Sequence, residues 1–404
     1  MTGSPTVERV MRDDLCAGCG LCAAVSDGAI VMAVERPGYN RPRIVGELSE
    51  TAEAVIAQCC PGSMIAPWRD DLPPSPYWGP SAAILTGHAC DEAVHYAGSS
   101  GGALTALLLF ALESGTVDRV VQINADSEFP TRNRIAISRT ADEVIAAAGS
   151  RYAASTPLAS IIEELEKGGR FAFVGKPCDV SALRQLAKVD ARVDAHVPLK
   201  LSFFCGGIPS HAGADRILAE MGLEGAALAE FRYRGNGWPG LAVARTTDGR
   251  SAQMSYARSW GDHLSKEVQF RCKICPDAVG GAADIACADA WYGGESGYPQ
   301  FEEQDGRSLI MVRSTLARTF LDKAVATGRM RVETLSEEEI VLMQPAQARR
   351  KRLVKARFAA MRLAGRRPPV ARGLLIDEAS RLARLGEKLR NFAGTFRRVI
   401  STTP

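Results

Sequence analysis

Eight of the eleven cysteines in this 404-residue chain fall into two groups, and they are the residues best suited to do chemistry. Cys16-Ala17-Gly18-Cys19-Gly20-Leu21-Cys22 reads C-x-x-C-G-x-C. Three thiolates at this spacing can wrap one cubane iron–sulfur cluster, which needs four soft ligands. Gly18 and Gly20 let the backbone fold tightly and aim N–H groups at the sulfurs. The fourth ligand must come from far along the chain. Cys60-Pro61-Gly62 is the natural source, because a remote Cys-Pro closes ferredoxin-type loops, and Cys59 is the alternative. A zinc knuckle fits less well, since zinc sites use two C-x-x-C pairs or add histidine, and no histidine precedes His88. The repeat that a full two-cluster ferredoxin requires, a second C-x-x-C-x-x-C, is missing.

A second set is dispersed. Cys178 and Cys205 each follow a short apolar stretch, and Cys272-Lys273-Ile274-Cys275 supplies a C-x-x-C pair. Together they make a four-cysteine set that a cluster could collect. Taken singly, Cys178 and Cys205 read as inert buried thiols, and the C-x-x-C as a thiol redox pair. A different chemistry is offered by Gly98-Ser99-Ser100-Gly101-Gly102, which opens the most apolar run of the chain. A helix N-terminus with glycines before it favours an anion, although an ordinary glycine-rich cap explains the same residues.

The elements that must carry these residues alternate between helix and strand. Ala103–Leu112 reads as a buried helix, far too short to span a bilayer. Val117–Asn124 reads as a strand, Ala141–Ala148 as a helix, and Pro157–Lys167 as a helix stopped by Gly168-Gly169. Phe171–Gly175 and Leu199–Cys205 share one design, an apolar strand running toward a cysteine. Phe231–Thr247 suggests hairpins, Arg307–Arg313 a strand, and Leu316–Gly328 a helix. From Arg372 onward, Leu375, Leu382, Leu385, Leu389, Phe392, Phe396 and Val399 fall on one helical face, with Gly386 and Gly394 working against the helix.

Residues 349–404 carry 16 Lys/Arg against 3 Asp/Glu, a net of +13, so the remainder carries −10 of the chain's +3. This is a basic appendage on an acidic body. It suits an amphipathic helix on anionic lipid, a dock for an acidic partner such as ferredoxin, or, slightly favoured, packing against the chain's own acidic body. Arg349-Arg350-Lys351-Arg352 lacks interleaved aromatics or a reader motif, so no nucleic acid is expected. The chain begins with a polar stretch that reaches Cys16 without an apolar core segment. A cytoplasmic protein that uses its cysteines for metal or redox chemistry is therefore expected.

At this point the sequence resembles the coenzyme F420 hydrogenase/dehydrogenase beta subunit family, which includes 7-hydroxymethyl chlorophyll a reductase-like iron–sulfur flavoproteins. The resemblance is carried by Cys16–Cys22, Gly98–Gly102 with its helix, Ala148-Gly149-Ser150-Arg151-Tyr152, Gly175-Lys176-Pro177-Cys178-Asp179, and Cys272–Cys275 with Ala283-Asp284-Ile285. It covers residues 10 to 335. It implies an α/β (α+β) flavin-binding domain preceded by a small ferredoxin-like iron–sulfur domain and followed by a basic helical tail. The corresponding divisions are 1–70, 77–155, 156–344 and 345–404, the second and third being the two parts of the flavin domain.

By this resemblance, Cys16, Cys19, Cys22 and Cys60 hold one [4Fe–4S] cluster, and Cys178, Cys205, Cys272 and Cys275 hold a second. Ser99, Ser100, Gly101, Gly102, Ser150, Arg151, Tyr152 and Lys176 bind FAD. Where relatives tend to read Ala-Asp-Ile-x-x-Gly-Asp, this chain reads Ala283-Asp284-Ile285-Ala286-Cys287-Ala288-Asp289, so Cys287 could replace one ligand. No acid–base residue is assigned. Flavin chemistry belongs to the cofactor, and His88 and His95 read as structural. The function expected first is an oxidoreductase taking electrons from a ferredoxin-type donor through the clusters to FAD and on to a small organic substrate. The alternatives are a coenzyme F420-oxidising or -reducing beta subunit of a larger hydrogenase or dehydrogenase complex, and a non-catalytic electron-transfer subunit. A homo-oligomer is compatible with the sequence.

Overall fold

The computed structural model describes residues 3–69, 71–295 and 297–401. The fold is mixed α/β around one eight-stranded sheet. Its strand order is Met330–Thr334, Ala83–Ala89, Ser308–Val312, Ile285–Asp289, Leu199–Phe203, Phe171–Val174, Arg119–Ala125 and Asn133–Ser138. The four strands from Ile285–Asp289 to Arg119–Ala125 run parallel to one another, and the flanking strands pair antiparallel. Parallel strands covered on both faces should be apolar throughout rather than alternating. Phe171–Val174 is buried at every position, which is why it reads in the sequence as an unbroken apolar run.

Side chains alternate across the sheet, and each face has its own core. On one face Val120, Leu201, Ile285 and Ile310 meet the helices Ala103–Glu113 and Thr315–Ala326. On the other, Val121 and Phe173 meet the helix Pro177–Leu186, and Leu309 and Met311 pack with Trp68 and Trp78. The helix Ala103–Glu113 is buried nearly all round, as an apolar helix without a polar face must be.

The parallel register has one consequence for function. Ala172 pairs with Leu199 and Val174 with Leu201, so the carboxyl ends of two adjacent strands lie side by side. Cys178 and Cys205 follow those ends. Ligand sites in α/β sheets form outside the carboxyl ends of the parallel strands.

The helix expected over Pro157–Lys167 is confined to Ile161–Glu166. The preceding turn is held elsewhere, because the Leu158 N–H donates to the Cys19 carbonyl (3.0 Å). The hairpins expected around Phe231–Thr247 form a three-stranded antiparallel sheet, Leu228–Arg232, Leu241–Thr246 and Ser251–Ser255. The N-terminal unit contains the helices Pro5–Arg12 and Glu50–Cys59 and a hairpin of Ile30–Glu35 with Tyr39–Ile44. It docks on the rest of the chain, where the Ala66 N–H donates to Ser181 Oγ (2.8 Å).

The basic region folds as four helices, Pro345–Arg352, Val354–Leu363, Ile376–Arg381 and Leu385–Ser401. Gly386 and Gly394 are accommodated inside the last of these, with Val399 buried against the neighbouring helix. Among the described residues, no helix is long and apolar enough to cross a membrane.

Candidate functional site

The first cysteine set is built on a loop and a helix end. Gly18 (φ +72°) and Gly20 (φ +88°) both adopt left-handed backbone, which glycine does without penalty. A Cβ on Gly20 would lie 2.9 Å from the Ala159 nitrogen, so the loop also needs glycine to approach its neighbour. Cys16, Cys19, Cys22 and Cys60 line one cavity of about 420 Å³, open mouth included, otherwise walled by apolar groups such as Val10, Met32 and Ile56. Cys60 caps the helix Glu50–Cys59 in extended conformation and faces this cavity. Cys59 is fully buried in the adjoining apolar cluster with Ala182 and Leu183. The Gly18 N–H points at Cys16 Sγ (3.4 Å). Burial and the neighbouring Cys16 push the Cys60 thiol up to about 11. Thiols that repel one another as thiolates fit a cationic iron–sulfide core, which stabilises the deprotonated form.

The second set draws on three segments far apart in sequence. Cys178 lies in the first turn of Pro177–Leu186, Cys205 just past Leu199–Phe203, and Cys272 and Cys275 on and after the turn Phe270–Lys273. All four line a cavity of about 340 Å³, open mouth included, together with Ala17, Arg271 and Arg350. The Ile208 N–H (3.4 Å) and Gln269 Nε2 (3.5 Å) donate to Cys272 Sγ. Burial, then Cys272, pushes the Cys205 thiol up to about 12. Among the described residues, no three His, Cys, Asp or Glu side chains surround a single ion-sized point. Each set offers four soft cysteine sulfurs and no histidine, a donor chemistry that fits a [4Fe–4S] cluster.

The two cavities adjoin. Ala17, between the first two cysteines of the N-terminal motif, lines both. Arg271, which precedes Cys272, is 2% exposed and donates to the Pro61 carbonyl (3.0 Å), next to Cys60.

The segments expected to bind flavin are brought together in part. Ser99 Oγ accepts from the Ser150 N–H. Ser100 Oγ meets Ser308 Oγ (2.8 Å), and the Gly101 N–H donates to that same hydroxyl (3.0 Å). Gly102, at φ +69°, caps the helix Ala103–Glu113 and has no side chain with which to bond its first turn. Arg151 is turned to the protein instead. Its guanidinium donates to Asn133 Oδ1 and to the carbonyls of Phe231, Pro130 and Arg132, leaving little for the FAD contact expected of it. The Tyr152 ring packs on Tyr233 and Trp260. Lys176, 4% exposed, pairs with Asp179 (2.8 Å) and donates to Ser155 Oγ (3.0 Å). Burial disfavours its ammonium, but Asp179 outweighs that and holds it above its ordinary value. Its charge is thus already compensated. His88 and His95 stack at 4.9 Å, and His95 Nε2 hydrogen-bonds with the Gly306 carbonyl (2.6 Å).

Cys287 lies in the middle of the strand Ile285–Asp289, paired with Ile310, within the sheet core and lining neither cavity. Two groups were given no role from the sequence. One is the buried pair of Arg234 with Asp289, bidentate at 2.8 Å, whose guanidinium stacks over Tyr256 and Trp291. Asp289 ends the Ala283–Asp289 segment, which was its only mark. The other is Arg350 at the second cavity, hidden inside a run of basic residues.

Comparison with known proteins gives concordant matches. Two family models described as coenzyme F420 hydrogenase/dehydrogenase, beta subunit, one for its N-terminal part and one for its C-terminal part, match residues 84–163 and 168–338 respectively. Coenzyme F420 hydrogenase subunit beta of Methanococcus voltae is 26% identical over 276 residues, spanning 64% of this chain and 87% of that protein. The chloroplastic 7-hydroxymethyl chlorophyll a reductase of Oryza sativa subsp. japonica is 26% identical over 222 residues, 54% of this chain and 45% of that one. A chain in the structure of the F420-reducing [NiFe] hydrogenase complex from Methanosarcina barkeri superposes with TM-score 0.53 at 19% identity. The match covers 81% of this chain and 95% of that one, and establishes likeness of fold.

Proposed function

We propose, on the premise that this chain belongs to the coenzyme F420 hydrogenase/dehydrogenase beta subunit family, that it is an iron–sulfur flavoprotein exchanging electrons with coenzyme F420 as part of a larger redox complex. Its relatives are named as subunits of F420-linked hydrogenases and dehydrogenases. They favour the deazaflavin coenzyme as the electron partner over the small organic substrate expected first from the sequence. The observation that carries the proposal is that Ala17 lines both four-cysteine cavities, so two clusters would lie within easy reach of each other.

Cys16, Cys19, Cys22 and Cys60 would hold one [4Fe–4S] cluster, and Cys178, Cys205, Cys272 and Cys275 the other. Gly101, Gly102 and the helix they open would receive the phosphates of FAD. A bound flavin supplies hydride chemistry, and the clusters supply one-electron steps. The chain's own part is to hold these groups at one end of the sheet, with apolar walls such as Val10 and Ile56 keeping water from the first sulfur set. Lys176 keeps a compensated positive charge beside Cys178. The proposal takes the protein to be cytoplasmic.

A ferredoxin-fed reductase of a small substrate is the second reading, favoured by the match to 7-hydroxymethyl chlorophyll a reductase. Anaerobic purification with iron, sulfide and flavin counts tests the common ground. The expected result is about eight irons and one flavin per chain. Titration of the reduced protein with coenzyme F420 then separates the readings. Stoichiometric bleaching of the deazaflavin supports the first, and failure to react sinks it. A colourless zinc protein without flavin defeats both.

A further inference from the structure

The second cysteine set comes from three segments that also bond to one another, the Cys205 N–H donating to the Ala278 carbonyl (2.8 Å) and the Gln269 N–H to the Ile208 carbonyl (3.1 Å). A further grip on them comes from the C-terminal helices, beyond the family match that ends at residue 338. Gln347 Nε2 donates to the Cys205 carbonyl at 3.1 Å, and Arg350 Nη1 to the same oxygen at 2.7 Å. Arg350 Nη2 donates to the Gly206 carbonyl at 2.7 Å. Lys351 Nζ reaches the Pro276 carbonyl (2.8 Å), next to Cys275, and its ammonium sits 3.8 Å from the Trp68 ring centre. Arg357 Nη1 reaches the Lys273 carbonyl (2.5 Å), between Cys272 and Cys275. Arg350 also lines the cavity with the four cysteines. The basic region thus spends these charges on the chain's own ligand loops. That is the self-packing alternative of its composition, with a target the composition does not name.

We infer that residues 345–363 act as a built-in latch on the second cluster, with Arg350 as its positioning residue. Arg350 fixes the Cys205–Gly207 loop through two carbonyls and keeps a positive charge beside Cys205, in the lining of the four-cysteine cavity. A cation there stabilises the more negative, reduced state, and so raises the cluster's reduction potential. The contacts to Lys273 and Pro276 hold the Cys272–Cys275 loop, which slows loss of iron. This inference rests on the two-cluster reading given above.

The test uses the full-length, anaerobically prepared protein as wild type, R350M and R350K. It combines iron counts, the rate of iron release to a chelator, and potentiometric titration followed by electron paramagnetic resonance. The second cluster is identified as the signal missing from C272S. In R350M its reduced-to-oxidised ratio at fixed potential falls at least tenfold, which for a one-electron couple is about 59 mV, while the first cluster is unmoved. R350K keeps the charge and loses the two-pronged grip. It holds the potential near wild type but releases iron faster. R350M that cannot retain the second cluster, while R350K can, also supports the latch. Wild-type potentials and wild-type iron release in both variants overturn it. Wild-type protein without about eight irons refutes the two-cluster reading instead, and the latch with it.

Discussion

Gly101 tests the proposed flavin loop most directly. An added Cβ would lie 2.5 Å from the Gly87 carbonyl oxygen, 2.8 Å from the Ser308 nitrogen and 3.1 Å from the His88 Cα. These are backbone atoms of two paired strands of the central sheet, Ala83–Ala89 and Ser308–Val312, or of their ends. They cannot rotate away, so the loop must move. Its own anchors oppose that movement, since the Ala89 N–H donates to the Gly101 carbonyl (2.7 Å) and the Gly101 N–H to Ser308 Oγ. Overpacking of this kind costs about 1–3 kcal/mol. If the displacement falls on the phosphate-receiving turn, G101A weakens FAD binding roughly fivefold to over a hundredfold. The assay is titration of flavin-stripped protein with FAD, followed by quenching of flavin fluorescence. Iron content serves as the check on the remaining fold. G386A is the control, because nothing lies within 4 Å of its added methyl and it sits inside a helix. It should leave FAD affinity unchanged and raise stability by up to about 1 kcal/mol. G101A binding FAD as tightly as wild type, with full iron, would show that this loop does not cradle the cofactor.

Other changes separate the ligands from the remaining cysteines. C19S and C272S should each lose about four irons and keep the other four, whereas C59S and C287S should keep all of them. Retention by C60S with loss by C59S would reverse the first assignment. Burial pushes the Cys287 thiol up to about 12, so little of it is present near neutral pH as the thiolate that reacts. Iodoacetamide on the native protein should therefore label the exposed Cys90 and spare Cys287, as read by peptide mass spectrometry; labelling of Cys287 should rise only with strong alkali or unfolding. R234M removes the partner of Asp289, which keeps 19% exposure, so a loss near the lower end of about 3–5 kcal/mol is expected in urea unfolding. The double variant R234M/D289N should recover part of it, and strict additivity would show that the pair is not coupled.

The sequence alone determined the elements with a single strong signal. Ala103–Glu113 and Phe171–Val174 were legible because burial on all sides demands unbroken apolar runs. The C-x-x-C-G-x-C loop was legible because its three cysteines lie within seven residues of one another. What lay between distant segments was not. The choice of Cys60 over Cys59 as the cavity-lining residue depends on which way the end of the helix Glu50–Cys59 faces. The placement of Cys287 in the core depends on strand register, and a one-residue slip would turn it to the other face. Tertiary structure shortened the helix before Glu166, since the turn around Leu158 satisfies its backbone against Cys19. It also turned Arg151 toward protein carbonyls, gave Lys176 a carboxylate partner, and sent Arg350 to Cys205. Spacing along a chain encodes what neighbours in sequence can do, whereas the partner of a buried charge is set by what packs around it, and that is decided only when the sheet and its helices close.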